Sequence, residues 1–274
     1  MFRIHLLFAH REQQFCTSPH VYQYRTMPEH DRVSVQATAT TFAIVEALRD
    51  RNDAGVTELA TELERSKSAI HNHLSTLETL GYVASTDGRY ALTHRFLRLG
   101  LATRERNSVY RAAKEDLRTL AQTTGDCVNL VVPEDDAGVY IHRVGGDDHP
   151  IPEGGRVALH ASAAGKAILA YRDHDTVDAF IDRHGLPALT ERTVTDPGVL
   201  RSQLRSIRDR RVAFDRGEQT PDWQCVASPI VVEDTPVAAI SVSGPIDRMH
   251  GKRLEEDVTG LVVSTAKAIE LELL

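Results

Sequence analysis

The stretch SKSAIHNHLSTLETL, residues 66–80, repeats apolar residues at Ile70, Leu74, Leu77 and Leu80. At the period of an α-helix this spacing turns Lys67, Ser68, His71, Asn72 and Ser75 away from the apolar face, with Ser66 opening the helix. Short hydroxyl, amide and imidazole groups, with one cation near the helix start, can reach phosphates and base edges in a DNA major groove. The chemistry is recognition by hydrogen bonding, not bond breaking.

Other constellations carry less. SAAGKA, residues 162–167, matches part of a phosphate loop but lacks the first glycine and the Ser or Thr after its lysine. His142, His149 and His160 show no HxxxH or HExxH spacing, so no metal is assigned. Serines, histidines and aspartates occur without a GxSxG elbow, so no catalytic residue is assigned either. Nothing in the sequence calls for a cofactor.

The recognition groups need a frame. From Thr38, Phe42, Val45 and Leu48 form an apolar stripe with Ala39 and Ile44 beside it, which predicts a helix ending at RDRNDAG, a turn with Gly55. A second helix opens at Thr57 as its cap, has Glu58 in its first turn and buries Leu59, Ala60 and Leu63. The third opens at Ser66 and ends at Gly81. YVASTDGRYALT, residues 82–93, predicts two strands around Asp87-Gly88.

Three helices and a β-wing make a winged helix-turn-helix, whose third helix enters the groove. Arg89, just past the hairpin turn, could reach a flanking phosphate or the minor groove. Glu58, Glu62 and Glu64 repel phosphates and keep open a structural or protein-binding role for this module. Residues 94–125 predict helical material with a break near Gly100, bridging to a second domain and ending at Gly125.

A length of 274 residues fits two domains, each able to bury a core. The expected division is 1–32 a leader, 33–93 the winged domain, 94–107 a helical linker and 108–274 a larger domain. The leader is rich in His, Gln and aromatics without amphipathic period, and is expected to be disordered or to precede a natural start at Met27. Cys16, Cys127 and Cys225 lie far apart with no CxxC, which fits a reducing cytoplasm. No apolar run approaches the length of a membrane span.

Net charge is -7, and the lysines are few: Lys67, Lys114, Lys166, Lys252 and Lys267. An acidic, lysine-poor surface suits a halophilic protein. Acidic and basic residues nearly balance in the winged segment, so the negative excess lies C-terminal to it and polyanion contact belongs to the N-terminal module.

In the second domain CVNLVVPEDDAGVYIHRVGG reads as a hairpin with an acidic turn at Gly138. A short strand then feeds a helix starting near Ser162, helices follow near 175–184 and 197–210, QCVASPIVV and VAAISVSG are strands, and a helix closes the chain from about Lys252 to Leu271. Strands among helices with no simple βαβ repeat predict an α/β (α+β) sensor domain around an antiparallel sheet. Ser162, Ala163 and Ala164 open a helix, so unpaired N–H groups there offer a carboxylate site. Ser241 and Ser243 alternate along a strand and share one face.

LHASAAGKAILA, TVTDPGVLRSQLRSIRDRRVAFDRGE, CVASPIV and AAISVSGP, with KSAIHNHLSTLETLGYV before them, resemble in order and spacing the IclR family of transcriptional regulators, over roughly residues 33–274. The resemblance implies a GAF-like C-terminal domain that binds a small effector, and homodimers or homotetramers on pseudo-palindromic operator DNA. It also implies that Ala163, Ala164, Asp215, Cys225, Ser241 and Ser243 contact the effector. Asp215 repels a carboxylate, so its expected role is to accept hydrogen bonds from ligand hydroxyls; together the set suggests a hydroxy or oxo acid. Trp223 and Asp222 depart from the family, which favours a smaller apolar residue and Gly there; Trp223 could cap the cavity or stack on a ring. The alternative is an enzyme processing a small acid, with the winged module used for protein contacts.

Overall fold

The computed structural model describes residues 34–146 and 148–274. The expected leader and the question of Met27 lie outside the described residues.

Three helices, α1 (Gln36–Arg51), α2 (Val56–Glu62) and α3 (Lys67–Thr79), enclose the first core. Ile44, Leu48, Leu59, Ile70 and Leu74 are fully buried there. The buried stripe of α1 is Ile44, Ala47 and Leu48, an i, i+3, i+4 set. Phe42, expected on that stripe, is 60% exposed, because the face turned toward α3 is fixed by Ile44 and by a 2.8 Å hydrogen bond between Thr41 Oγ1 and His73 Nδ1. Leu80 is likewise 52% exposed: it caps α3, and Gly81 at φ +76° reverses the chain beyond it.

The wing is the expected hairpin, β2 (Val83–Thr86) and β3 (Arg89–Leu92), with Asp87 and Gly88 both at positive φ. The segment read as a turn before Gly55 is also a short strand, β1 (Asp53–Gly55), which pairs antiparallel with β3. Consequently α2 starts at Val56 with Gly55 before it, and Thr57 does not cap it.

Helix α4 (Arg95–Glu105) runs through Gly100 unbroken, and the break comes at Arg106-Asn107. Asn107 accepts the Tyr110 N–H and so starts α5 (Ser108–Thr124), which ends at Gly125 with φ +69°. A lone glycine costs a helix only about 1 kcal/mol, whereas an Asn cap starts a new one.

The second domain is built on a six-stranded antiparallel sheet. Its strands are β4 (Cys127–Glu134), β5 (Ala137–Val144), β6 (Arg156–Ala158), β7 (Ala213–Arg216), β8 (Trp223–Val232) and β9 (Thr235–Pro245), in the order β6-β5-β4-β9-β8-β7. One face packs against α5 and α9 (Val258–Leu273), which a π-helical turn at Arg253–Asp257 precedes. The other face packs against α6 (Ala163–Leu169), α7 (His174–His184) and α8 (Pro197–Arg210). Gly138 lies not in the turn but inside β5, where a Cβ would come within 2.8 Å of Val131. Gly165 lets α6 press on Leu159, whose Cα would stand 2.5 Å from an added Cβ.

Candidate functional site

The α2–α3 turn passes Glu64 at φ +53°, and Ser66 then caps α3 by accepting the Ala69 N–H at 3.2 Å. Ser66 Oγ also lies 3.2 Å from Ser68 Oγ. Lys67, Ser68, His71, Asn72 and Ser75 are all exposed on the face opposite Ile70, Leu74 and Leu77. The structure therefore brings the six predicted side chains of this helix onto one accessible surface.

Arg89 sits differently. Its guanidinium binds Asp53 Oδ1 at 2.6 Å and Glu58 Oε2 at 3.2 Å, tying the base of the wing to the start of α2. Glu58 also accepts the Gly55 N–H at 2.7 Å, and that bond, helped by Arg89, holds its carboxyl below the usual range. A phosphate reaching Arg89 competes with two carboxylates.

The second site is a narrow cavity on the α6 face of the sheet, only about 20 Å³ in volume. Among the predicted residues Ser162, Ala163, Asp215, Trp223, Cys225 and Ser243 line it. Ala164 is buried one position along, and Ser241 lies deeper on the same strand face. Ser162 is occupied structurally: its hydroxyl donates to Ala158 O at 2.9 Å and accepts the Gly165 N–H at 3.1 Å.

Ser243 pairs in register with Cys127 on one side and Cys225 on the other, and Ser241 with Asn129 and Ala227. This makes two rows across three strands, with Ser243, Ser241 and Asn129 as their polar members. Asn129 donates to Ser243 Oγ at 3.2 Å and to Ser241 Oγ at 3.5 Å, while its Oδ1 accepts Arg143 Nε at 2.8 Å. Arg143 also binds the Ile151 carbonyl and His149 Nδ1.

Tyr140, His149 and Trp223 form the aromatic wall, the His149 ring lying 5.5 Å from Tyr140 and 5.0 Å from Trp223. Burial, with Arg143 beside it, lowers His149 to about 4, so it is neutral near pH 7. Burial also pushes the Cys225 thiol well up, which makes it a small apolar group and not a nucleophile. Asp215 is held up at about 7 by burial, against the pull of Lys166 and two backbone N–H donors. Lys166 on α6 binds Glu218 and, at 3.3 Å, Gln203 on α8.

Asn129, Tyr140, Arg143, Lys166 and Glu218 are site residues that sequence reasoning missed. Tyr140 and Arg143, three residues apart on β5, share a face only through the register shift opposite Leu130 and Val131, and no local signal marks that shift or the meeting of Lys166 with Glu218. The three histidines considered as ligands have separate partners: His142 pairs with Glu153, His149 with Arg143, and His160 with the Pro187 carbonyl.

A winged helix-turn-helix joined to a sheet domain with an internal cavity defines a ligand-responsive DNA-binding regulator. Residues 38–87 match the IclR helix-turn-helix domain, and residues 102–271 match the C-terminal domain of the bacterial transcriptional regulator IclR. The chain belongs to the IclR family of transcriptional regulators.

It is 31% identical over 240 residues to the HTH-type transcriptional regulator KdgR of Escherichia coli strain K12, covering 85% of this chain and 91% of that one. The crystal structure of the Thermotoga maritima IclR superposes with a TM-score of 0.74 at 28% identity, over 87% of this chain and 97% of that one. An IclR homologue from Microbacterium hydrocarbonoxydans, crystallised with 4-hydroxybenzoate, shares the fold with a TM-score of 0.76 at 21% identity, over 86% and 98% of the two chains.

Proposed function

We propose that α3 reads one operator half-site through Ser66, Lys67, Ser68, His71, Asn72 and Ser75, and that the cavity of the second domain senses a small carboxylic acid. The exposed polar face of α3 carries the first part, because its hydrogen-bonding groups are unburied and set on a helix rigidified by Ile70, Leu74 and Leu77. Ala163, Ala164, Asp215, Trp223, Cys225, Ser241 and Ser243, together with Tyr140 and Asn129, form the sensing site. The complex of a fold relative with 4-hydroxybenzoate supports an organic acid as the class of effector.

The protein acts as a homodimer or homotetramer, so that two α3 helices meet a pseudo-palindromic site. Exposed Val35 and Phe42 on and beside α1, and Leu97, Leu99 and Leu101 on α4, supply apolar surface for self-association. It works in the cytoplasm, in keeping with described helices too short or too polar to cross a membrane, and its acidic, lysine-poor composition suits high salt. Its role is binding without turnover, in line with the transcriptional regulators it resembles.

Genome-wide DNA occupancy of the tagged protein in its host, with and without candidate carbon sources, tests this reading. Sharp peaks beside catabolic genes, changed by one carbon source, are the expected result. Absence of localised occupancy under every condition, or turnover of a bound acid, would overturn it.

A further inference from the structure

Two residues that are buried overall, Tyr140 and Asp215, line the cavity with polar groups. Tyr140 is 5% exposed, and its phenol oxygen makes no hydrogen bond among the described residues. Asp215 is 6% exposed; its Oδ1 accepts the N–H groups of Glu218 at 2.6 Å and Gln219 at 3.3 Å, which leaves Oδ2 unbonded. Asp215 Oδ2 and the Tyr140 hydroxyl are therefore left for an occupant of the cavity to bond.

The charged and titratable surroundings of Asp215 come from every packed element. Lys166 faces it from α6, tied to Glu218 and Gln203; Glu218 lies three residues on; Cys225 faces it from β8 and Tyr140 from β5. Cys127 on β4 and Arg143 on β5 stand near Tyr140. Burial outweighs Lys166 and the two N–H bonds, so near neutral pH this carboxyl is present both with and without its proton. Ionised, Asp215 repels a ligand carboxylate. Protonated, its hydroxyl donates to one.

We propose that the cavity takes up its acid together with one proton, held between a ligand carboxylate oxygen and Asp215 Oδ2, with the Tyr140 hydroxyl as a second donor. This rests on the small-acid reading of the cavity. The balance is one ligand carboxylate plus one solvent proton, giving a hydrogen-bonded pair of one carboxyl and one carboxylate. Asp215 thus changes from an acceptor of ligand hydroxyls into a donor, and the regulator answers to pH and acid together.

Trp223 is the single tryptophan of the chain and lines this cavity, so its emission reports occupancy directly. Acetate, lactate and 4-hydroxybenzoate are titrated into the full chain at about pH 6 and about pH 8.5. Calorimetry in two buffers of different ionisation enthalpy counts the protons. The expected result is a dissociation constant roughly thirtyfold weaker at the higher pH, with about one proton taken up there, as a carboxyl titrating near neutrality dictates. Asp215→Asn, whose amide donates at every pH, should bind equally at both. Tyr140→Phe should bind more weakly and keep the pH dependence.

Wild-type binding that is equal at both pH values, or tighter at the higher one, overturns the proton coupling and leaves the acid sensor standing. If no acid perturbs Trp223 or releases heat at either pH, both the coupling and the small-acid reading fall.

Discussion

The Lys166 ammonium and the Glu218 carboxylate meet at 2.6 Å inside the second domain, with side chains only 2% and 9% exposed. The pair joins α6 to the loop after β7, the loop that carries Gln219 and Thr220 of the cavity wall. Desolvating two charges is costly, and their mutual attraction offsets it only while both are present. Lys166→Ala should therefore destabilise the second domain by about 3–5 kcal/mol, because Glu218 is left buried and unpaired. Denaturant unfolding is the measurement. A double variant, Lys166→Met with Glu218→Met, should recover most of the loss; failure to recover would mean that the pair acts by shape and not by charge.

Between pH 4 and pH 7 two cavity groups act on stability in opposite directions. His149 is lowered to about 4 in the folded chain against about 6.5 unfolded, so its contribution is complete above 6.5 and is lost as pH falls through 4. Asp215 is raised to about 7 against about 3.9 unfolded, so its contribution is complete below 3.9 and is lost as pH rises through 7. Between about pH 5 and about pH 8.5 the wild-type Tm should drop more than that of Asp215→Asn. Parallel Tm curves would show that Asp215 ionises in the folded protein at its ordinary value.

Asn72 stands exposed in the middle of the polar face of α3. A bidentate amide–adenine contact is worth about 1–3 kcal/mol of discrimination. Asn72→Ala should lower the ratio of operator to random-sequence affinity by about tenfold while leaving the Tm nearly unchanged. Fluorescence anisotropy with both DNAs reads this, and an unchanged ratio removes Asn72 from base recognition.

Arg89 tests the wing. The pair with Asp53 is about half exposed on both sides, and solvent screening leaves such pairs little weight in stability. If Arg89 exchanges its carboxylates for a DNA phosphate, Arg89→Ala weakens binding to all sequences alike and lowers the salt slope by about one. A slope equal to wild type confines Arg89 to holding the wing onto α2.

Much of the winged domain was legible because its signals are local. The Ser66 cap, the Ile70-Leu74-Leu77 spacing and Asp87-Gly88 each act within a few residues and need no partner from elsewhere. Phe42 and Leu80 misled because periodicity fixes the angle between side chains and leaves their direction to the packing of α1 against α3. Strand β1 was hidden since three residues, Asp53–Gly55, form a strand only by pairing with β3. The same holds for β7, Ala213–Arg216, which pairs with β8 and carries Asp215. In the cavity, Tyr140 and Arg143 come from a hairpin 70 or more residues away from Asp215 in sequence. Only the strand order places them together.

The six-stranded sheet gives the molecule a common partition between sensing and scaffold. Along β4, Cys127 and Asn129 look toward the cavity rows, while Val128 and Leu130 press into the layer under α5 and α9. Along β9, Ser241 and Ser243 alternate with Ile240 and Val242 in the same manner. Neighbouring residues share one backbone, so each of these strands has one side chain at the cavity and the next in the opposite layer. That layer includes α5, the helix entered directly from α4 and the winged domain. With an effector bound as proposed, the partition would work as a diaphragm, sealing the ligand from the α5–α9 layer while passing on its pressure.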